Sequence, residues 1–313
     1  MSQLTQFQRS LQLGEIYPKN PNAQLSALPP RLRLLNWNIE RGYAPEQLLA
    51  YIREVNPDIL CLQELDWGNQ RTKELDVTDY LARELGLVGY FGIEFFELET
   101  PERGPALAGG GVHGNAILTR FAPRAVYRVE LPPLFDWEQL PAGLPPAVTR
   151  QRRLGGRFAL CADFQLGDRT VSIASVHLEN NGIGVDGRAA QLTHLAGALA
   201  ARQQPGDAAI IAGDLNTLEA WPVRLLGRAR APVSARKPWY LAESRWLQRT
   251  VLPELGYIDP FSYRDWTYQA FGIYREKLDW ILLKGATAAA QGRGDFNTSD
   301  HRPLWADCEI DPN

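Results

Sequence analysis

Short apolar runs punctuate the chain from Leu32 onward: "LRLLNWNI", "DILCLQEL", "GYFGIEFFEL", "GNAILTRF", "RAVYRVEL", "RFALCADFQL", "TVSIASVHL", "AAIIAGDL", "KLDWILLKG" and "RPLWADCEI". Runs of this length, rich in Val, Ile, Leu and aromatic residues, predict strands with at least one buried face. Gly167-Asp168-Arg169 lies between the sixth and seventh runs and supplies the backbone geometry of a tight turn. Those two runs should form a hairpin, so the strands cannot all be parallel. Helical spacing is rarer. Leu48, Leu49, Ile52 and Val55 follow it after Pro45 until Asn56-Pro57 ends the pattern. A second helix is expected from about Asp79 to Leu85, stopped by Gly86, and a third from about Arg188 to Arg202, with Leu192, Leu195 and Leu199 on one stripe. Many strands with few helices predict an α+β protein built from two packed sheets with helices outside. Residues 1–30 are polar and end in "SALPP", which reads as an N-terminal extension preceding a domain over 31–313. The Pro-rich stretch from Leu131 to Ala147 reads as a surface loop within that domain.

Composition narrows the picture. The 313 residues are 45% hydrophobic and 22% charged, with nine Trp, as in a soluble globular protein. That length fits one large domain or two modest ones. The 33 basic and 36 acidic side chains leave a formal charge of -3, which disfavours wrapping a nucleic acid by overall charge and leaves a local basic patch open. Cys61, Cys161 and Cys308 sit far apart in apolar runs and read as buried reduced thiols. With no continuous apolar stretch near the start and no segment approaching a transmembrane span, a cytoplasmic location is expected.

The chemistry lies at the strand ends. Asn38, Glu64, His177 and Asp214 fall at or just after the carboxyl ends of apolar runs, whereas Asp279 and His301 fall at the start of others. In a mixed sheet these two kinds of end meet on one edge, where six polar side chains would form a concave charged site. Taken alone, Asn38 would cap a turn and His177 would be a satisfied core histidine, while Glu64 reads equally as structure or function. Asp214 and Asn216 in "IIAGDLNT", and the triplet Ser299-Asp300-His301, favour function. His113 and His194 read as ordinary residues.

In order along the chain, "LNWNIERG", "LCLQEL", "GNAILTR", "VHLEN", "GDLNT", "WTY" with "KLDWILL", and "SDHRPL" resemble the endonuclease/exonuclease/phosphatase superfamily, the DNase I-like fold, over Leu34 to Leu304. The resemblance implies a four-layer α/β/β/α sandwich with two central mixed sheets. It also implies that Glu64 is the principal metal ligand, assisted by Asn38 and Asp300. Asp214 would orient and deprotonate the attacking water, Asn216 would donate to phosphoryl oxygens, and Asp279 would fix and charge His301. His177 stands where the DNase I branch and the sphingomyelinases have His and the abasic-site endonucleases have Tyr, a departure from the repair enzymes.

Physical chemistry supports the same scheme. An anionic phosphodiester repels hydroxide, so hydrolysis needs a cation and donors aimed at the developing charge. Carboxylates and amides without cysteine select a hard ion, Mg²⁺ or Mn²⁺, over zinc. An imidazolium beside a carboxylate clamps phosphate, and no Ser or Cys has a nucleophile's context, so in-line attack by water is expected.

Asn115 of "GNAILTR", Arg188 at the start of the third helix and Trp266 of "WTY" are candidate substrate contacts. So are Arg228 and Arg230, which lie in a segment, residues 221–250, holding seven basic side chains against one acid, Glu243, with Trp221, Trp239, Tyr240 and Trp246 interleaved. That segment reads either as a phosphate-binding and base-stacking surface or as a solvated helix and loop whose tryptophans pack on the sheet. The partner expected is a phosphoester, with a nucleic acid favoured and a lipid or inositol phosphate as the alternative; no protein partner is implied. An inert scaffold of the same fold would have no need of all six site residues.

Overall fold

The computed structural model describes residues 4–99, 103–140, 149–180, 185–217, 237, 241–270 and 274–311. All ten apolar runs are strands. In chain order the strands are β1 (Ile16–Lys19), β2 (Arg31–Arg41), β3 (Ile59–Trp67), β4 (Val88–Glu97), β5 (Val112–Thr119), β6 (Ala125–Glu130), β7 (Arg153–Gly155), β8 (Phe158–Leu166), β9 (Arg169–His177), β10 (Ala208–Asp214), β11 (Tyr268–Ala270), β12 (Tyr274–Glu276), β13 (Asp279–Lys284), β14 (Ala286–Arg293) and β15 (Leu304–Ile310). One sheet has the order β1-β4-β5-β3-β2-β15-β14, with β7 also on β4, and the other the order β13-β10-β9-β8-β6. Both are mixed: β2 runs parallel to β3 and β9 to β10, while the remaining pairs are antiparallel. The expected hairpin joins β8 and β9, with Leu166 opposite Arg169 and Gly167 at φ +59°.

Alternation along each strand assigns one set of side chains to the space between the sheets and the other to an outer face. Leu32, Leu34, Ile59, Cys61, Leu160, Ile173, Ile210 and Ile281 meet between the sheets. After the short helix α1 (Gln6–Arg9), helices α2 (Pro45–Val55) and α3 (Val77–Leu85) cover the outer face of the first sheet over Leu35, Trp37, Leu60 and Leu62. On the other, Cys161, Ala174, Ile211 and Trp280 pack under α4 (Val185–Ala200), through Leu192, Leu195 and Leu199. The result is the four-layer arrangement expected. Helix α2 starts with Pro45 and ends at left-handed Asn56, and α3 is capped by the Asp76 side chain and stopped at Gly86. Among the described residues, no helix is long and apolar enough to cross a membrane.

The segment read as an N-terminal extension is built into this body. Strand β1 pairs with β4, Gln8 is buried and donates to the carbonyls of Glu97 and Gly111, and Lys19 meets Asp76 at 2.6 Å. Leu28 is buried in the core, Leu4, Leu11 and Tyr17 pack against it and Phe7 meets Trp67, but these apolar residues are scattered among polar ones and form no continuous run. The described part of the Pro-rich loop is likewise pinned, because Trp137 is buried and its Nε1 donates to Glu179 Oε2 at 3.1 Å.

Candidate active site

The positions that fill the space between the sheets change from apolar to polar toward one edge. In β2 the sequence is Leu32, Leu34, Asn36, Asn38; in β9 it is Val171, Ile173, Ser175, His177; in β10 it is Ala208, Ile210, Ala212, Asp214; and in β13, read backwards, it is Leu283, Ile281, Asp279. The site is thus the polar end of the core. Gln63 closes its floor by donating to Asn36 Oδ1 at 3.0 Å and to Ser175 Oγ at 3.1 Å, a link between the sheets. Strand pairing sets His177, Asp214 and Asp279 side by side, since Asp214 is the register partner of both others. Gly213 permits this: a Cβ there would lie 1.9 Å from the Val176 carbonyl oxygen.

Asp214 is held from several sides. Asn38 Nδ2 donates to Oδ2 at 3.0 Å and the Asn216 backbone N–H to Oδ1 at 2.8 Å, while His177 Nε2 lies 3.5 Å and His301 Nε2 3.8 Å from Oδ2. Burial raises its pKa, nearby His301 opposes this, and the Asp279 charge adds to the rise. His301 Nδ1 meets Asp279 Oδ2 at 2.7 Å. Burial alone would discharge that imidazole, but Asp279 and Asp214 outweigh it and hold its pKa well above the usual histidine range. Asp279 is itself oriented by Thr267, whose Oγ1 accepts from the Leu278 and Asp279 backbone N–H groups at 3.0 Å each. Ser299 fastens the loop to β2 by donating to the Asn38 carbonyl at 2.8 Å and accepting from His301 N–H at 3.0 Å. His177 has the opposite character to His301: burial and the Arg157 charge hold its pKa far below the usual range, so it is neutral.

Glu64 lies beside this group at a β-bulge, where the pairing of β3 with β5 shifts between Leu62 and Leu65. Across from it, the β2–β3 register shifts between Asn38 and Arg41. Of the eight non-glycine residues with positive φ among those described, Glu40, Arg41, Glu64 and Asn216 are at this edge. Each such conformation costs about 1–3 kcal/mol, and its concentration at one place marks side chains aimed for a purpose. Arg41 lies 3.3 Å from Glu64. Burial pushes the Glu64 carboxyl up, but Arg41, helped by the histidines, holds it well below the usual carboxylate range.

One grouping among the described residues brings ligand atoms close enough together for a single cation. Asp214, Asp279 and His301 present ligand atoms within 4.8 Å of one another, although the tight Asp279–His301 pair leaves chiefly Asp214 open to an ion. Glu40, Glu64 and Asp300 lie beside it, near enough to feel one another's charge. Burial is the largest influence raising Glu40 and Asp300, and like charge adds to it, from Asp300 and Glu64 on Glu40 and from Glu64 on Asp300. The Asp300 side chain is 44% exposed, and its backbone N–H donates to Glu40 Oε2 at 3.1 Å. The exposed Asp300 carboxylate beside Glu40 and Glu64 fits a hard divalent ion, which would relieve the like charge on Glu40 and Asp300. Glu40 and Thr267 were not singled out from sequence; Glu40, two residues after Asn38 in "NIERG", carried a signal in its position, and Thr267 carried none.

The expected substrate contacts divide. Asn115 is buried and donates to Glu94 Oε1 at 3.1 Å, behind His177; Arg157 also pairs with Glu94 at 3.1 Å. Burial raises the Glu94 carboxyl to about 7. The reading of Arg188 as a phosphate contact is corrected: it is buried and its Nε and Nη2 hold both oxygens of Glu243, at 2.9 and 2.6 Å. Asn216 Nδ2 donates to the Leu178 carbonyl at 2.9 Å, so its observed bonds orient Asp214 and the end of β9 instead of pointing at a phosphoryl group. Trp266 is stacked on Phe296 with ring centroids 5.2 Å apart. Arg228 and Arg230 lie outside the described residues, as do Trp221, Trp239 and Tyr240, whereas Trp246 is in the core under α4 and not in a stacking surface. His113 is buried against Asp66 at 3.2 Å, and His194 is exposed.

Residues 35–301 match the profile of the Endonuclease/Exonuclease/phosphatase family, and the chain belongs to that family. It is a metal-dependent phosphoric ester hydrolase. Among solved structures, an endonuclease/exonuclease/phosphatase from Beutenbergia cavernae DSM 12333 is similar at 19% identity and a TM-score of 0.59, covering 90% of this chain and 72% of that one. The human Nocturnin catalytic domain with bound sulfate is similar at 18% identity and a TM-score of 0.56, covering 93% and 99%. ANGEL2, a 2',3'-cyclic phosphatase, is similar at 15% identity and a TM-score of 0.56, covering 95% and 98%. At these identities the likeness is one of fold. No curated protein sequence matches the chain significantly.

Proposed function

We propose that the protein is a Mg²⁺- or Mn²⁺-dependent phosphodiesterase acting on nucleic acid, hydrolysing its substrate by in-line attack of water. The observation that carries this reading is the row His177, Asp214, Asp279 on adjacent strands, completed by His301 and flanked by the Glu40, Glu64 and Asp300 carboxylates. Glu64, with Asn38, Asp300 and Glu40, would hold the ion, which would supply positive charge to the phosphoryl group. Asp214 takes the proton of the attacking water, and its raised pKa brings it toward the operating pH where a base is most effective. Asn38 and the Asn216 backbone N–H each hold one of its oxygens, which fixes the plane of the carboxylate. His301, kept charged by Asp279, stabilises the charge that develops on the phosphoryl group, and neutral His177 contributes a hydrogen bond without repelling the ion. The solved relatives named for a 2',3'-cyclic phosphatase and for a sulfate-bound catalytic domain support a phosphoester in this cleft. The test is hydrolysis of a panel of DNA, RNA, nucleotides, inositol phosphates and phospholipids, with Mg²⁺ and with chelator. Turnover of nucleic acid that chelator abolishes is the expected result; turnover confined to lipids or inositol phosphates, or persisting in chelator, would contradict it.

A further inference from the structure

Beyond the His301 side of the site lies a cluster that the chemistry above does not use. The Tyr268 ring is 5.1 Å from the His301 ring, and Trp266 stands two residues before Tyr268 on the same extended segment. Three guanidinium groups gather round Trp266, with Arg302 at 3.8 Å from the ring centroid, Arg275 at 4.3 Å and Arg293 at 6.0 Å. Arg302 also covers Phe296, at 4.6 Å, so the stacked aromatic pair is a rigid seat for cations and leaves little ring face for a base.

The charge of this cluster is incompletely balanced. Arg293 has a partner in Asp265 at 3.6 Å and donates to the Trp266 carbonyl at 3.2 Å. Arg275 and Arg302 make no ion pair with a carboxylate among the described residues, and Arg302 Nε is buried without a hydrogen-bond acceptor. Burial and then the positive charge of Arg293 lower the Arg302 pKa, with Asp295 opposing and Arg275 adding to the fall. Arg275 and Arg302, with no carboxylate partner among the described residues, and Arg293 are held together against their repulsion beside a phosphoryl-transfer site, which matches a bidentate-bound phosphate.

We propose that Arg275, Arg293 and Arg302 form a second anion subsite, which binds a phosphate of a single nucleic-acid strand flanking the scissile phosphate. This rests on the nucleic-acid reading of the active site. A flanking contact of this kind positions the strand without reading its bases, and it gives the enzyme a preference for polymer over an isolated diester.

The experiment uses the full chain in Mg²⁺ and a fluorescent, nuclease-resistant phosphorothioate strand of about twelve nucleotides, a length within the usual range for single-strand sites. Anisotropy across a salt series compares the wild type with the double variants R275A/R302A and R275K/R302K. The alanine variant should bind about tenfold more weakly, with a salt slope flatter by about 0.7 for each phosphate it no longer neutralises, and the lysine variant should recover most of the slope because it keeps the charge. The ratio of kcat/KM for a strand to that for bis(4-nitrophenyl) phosphate should fall about as much as the affinity. Wild-type affinity and slope in the alanine variant would overturn the proposal, as would an equal loss for a neutral methylphosphonate strand. A loss seen with inositol phosphates or anionic vesicles and not with the strand would also overturn it. If the wild type hydrolyses no nucleic acid, the reading of the active site fails instead, and the binding comparison still decides the subsite.

Discussion

Asp279 Oδ2 and His301 Nδ1 meet at 2.7 Å, and the same carboxylate stands opposite Asp214 in the strand pairing. One charge therefore acts on both the proposed base and the proposed phosphoryl clamp. It raises His301 directly and adds to the burial that raises Asp214.

Asp279→Asn should move both limbs of the pH–rate profile to lower pH. The acid limb follows Asp214, which ionises more readily once the neighbouring negative charge is gone. The alkaline limb follows His301, which then loses its proton earlier as pH rises. A profile of kcat/KM shows this directly; limbs that move in opposite directions, or not at all, would contradict the shared role.

Asp214→Asn and His301→Ala should each lower kcat by about 10²–10⁴-fold, the range for loss of a positioned acid, base or charge. The double variant should lose far less than the product of the two, because both groups act on one step. A fully multiplicative loss measured on a small diester would assign them to separate steps.

Glu40→Gln should weaken Mg²⁺ binding by about 10–100-fold, the usual effect of removing a group that supports metal ligands. Glu64→Gln should weaken it further. Titration of Mg²⁺ against the thermal midpoint reads this without turnover, and an unchanged midpoint response in both variants would place the ion elsewhere.

Arg188→Ala should cost about 3–5 kcal/mol of stability, because it strands the Glu243 carboxylate in a buried position. Replacing both residues by apolar ones of similar volume should recover most of that loss. Denaturant titration distinguishes this from the phosphate-contact role read from sequence, for which KM would rise with stability unchanged.

Gly213→Ala should destabilise the protein by about 1–3 kcal/mol or more, since its Cβ would meet the Val176 carbonyl oxygen and backbone would have to move. The displaced β10 also carries Asp214, so kcat should fall together with the thermal midpoint.

The sheet layers and most of the site were legible because both rest on one periodicity. Leu34, Asn38, Ile210 and Asp214 follow the same alternation, so a reader of apolar runs also finds the polar residues at their ends. What escaped notice lacks that signal. Strand β14, "ATAAAQGR", is an Ala-rich edge strand with few β-forming side chains, and β1 is held by backbone pairing. Glu40 and Arg41 acquire their places from positive φ angles and a register shift, which no period announces. Trp246 looked like surface chemistry in a basic stretch and Arg188 like a substrate contact at the start of a helix, yet one fills the core under α4 and the other neutralises Glu243.

The bond from Asn38 Nδ2 to Asp214 Oδ2 joins a strand of one sheet to a strand of the other, as does that from Gln63 to Ser175 Oγ beneath it. Neither sheet alone can assemble the catalytic group, however well formed its own ladder. During refolding, catalytic activity should thus be a late observable: circular dichroism recovers as each ladder closes, and turnover returns only when the two halves have docked in register.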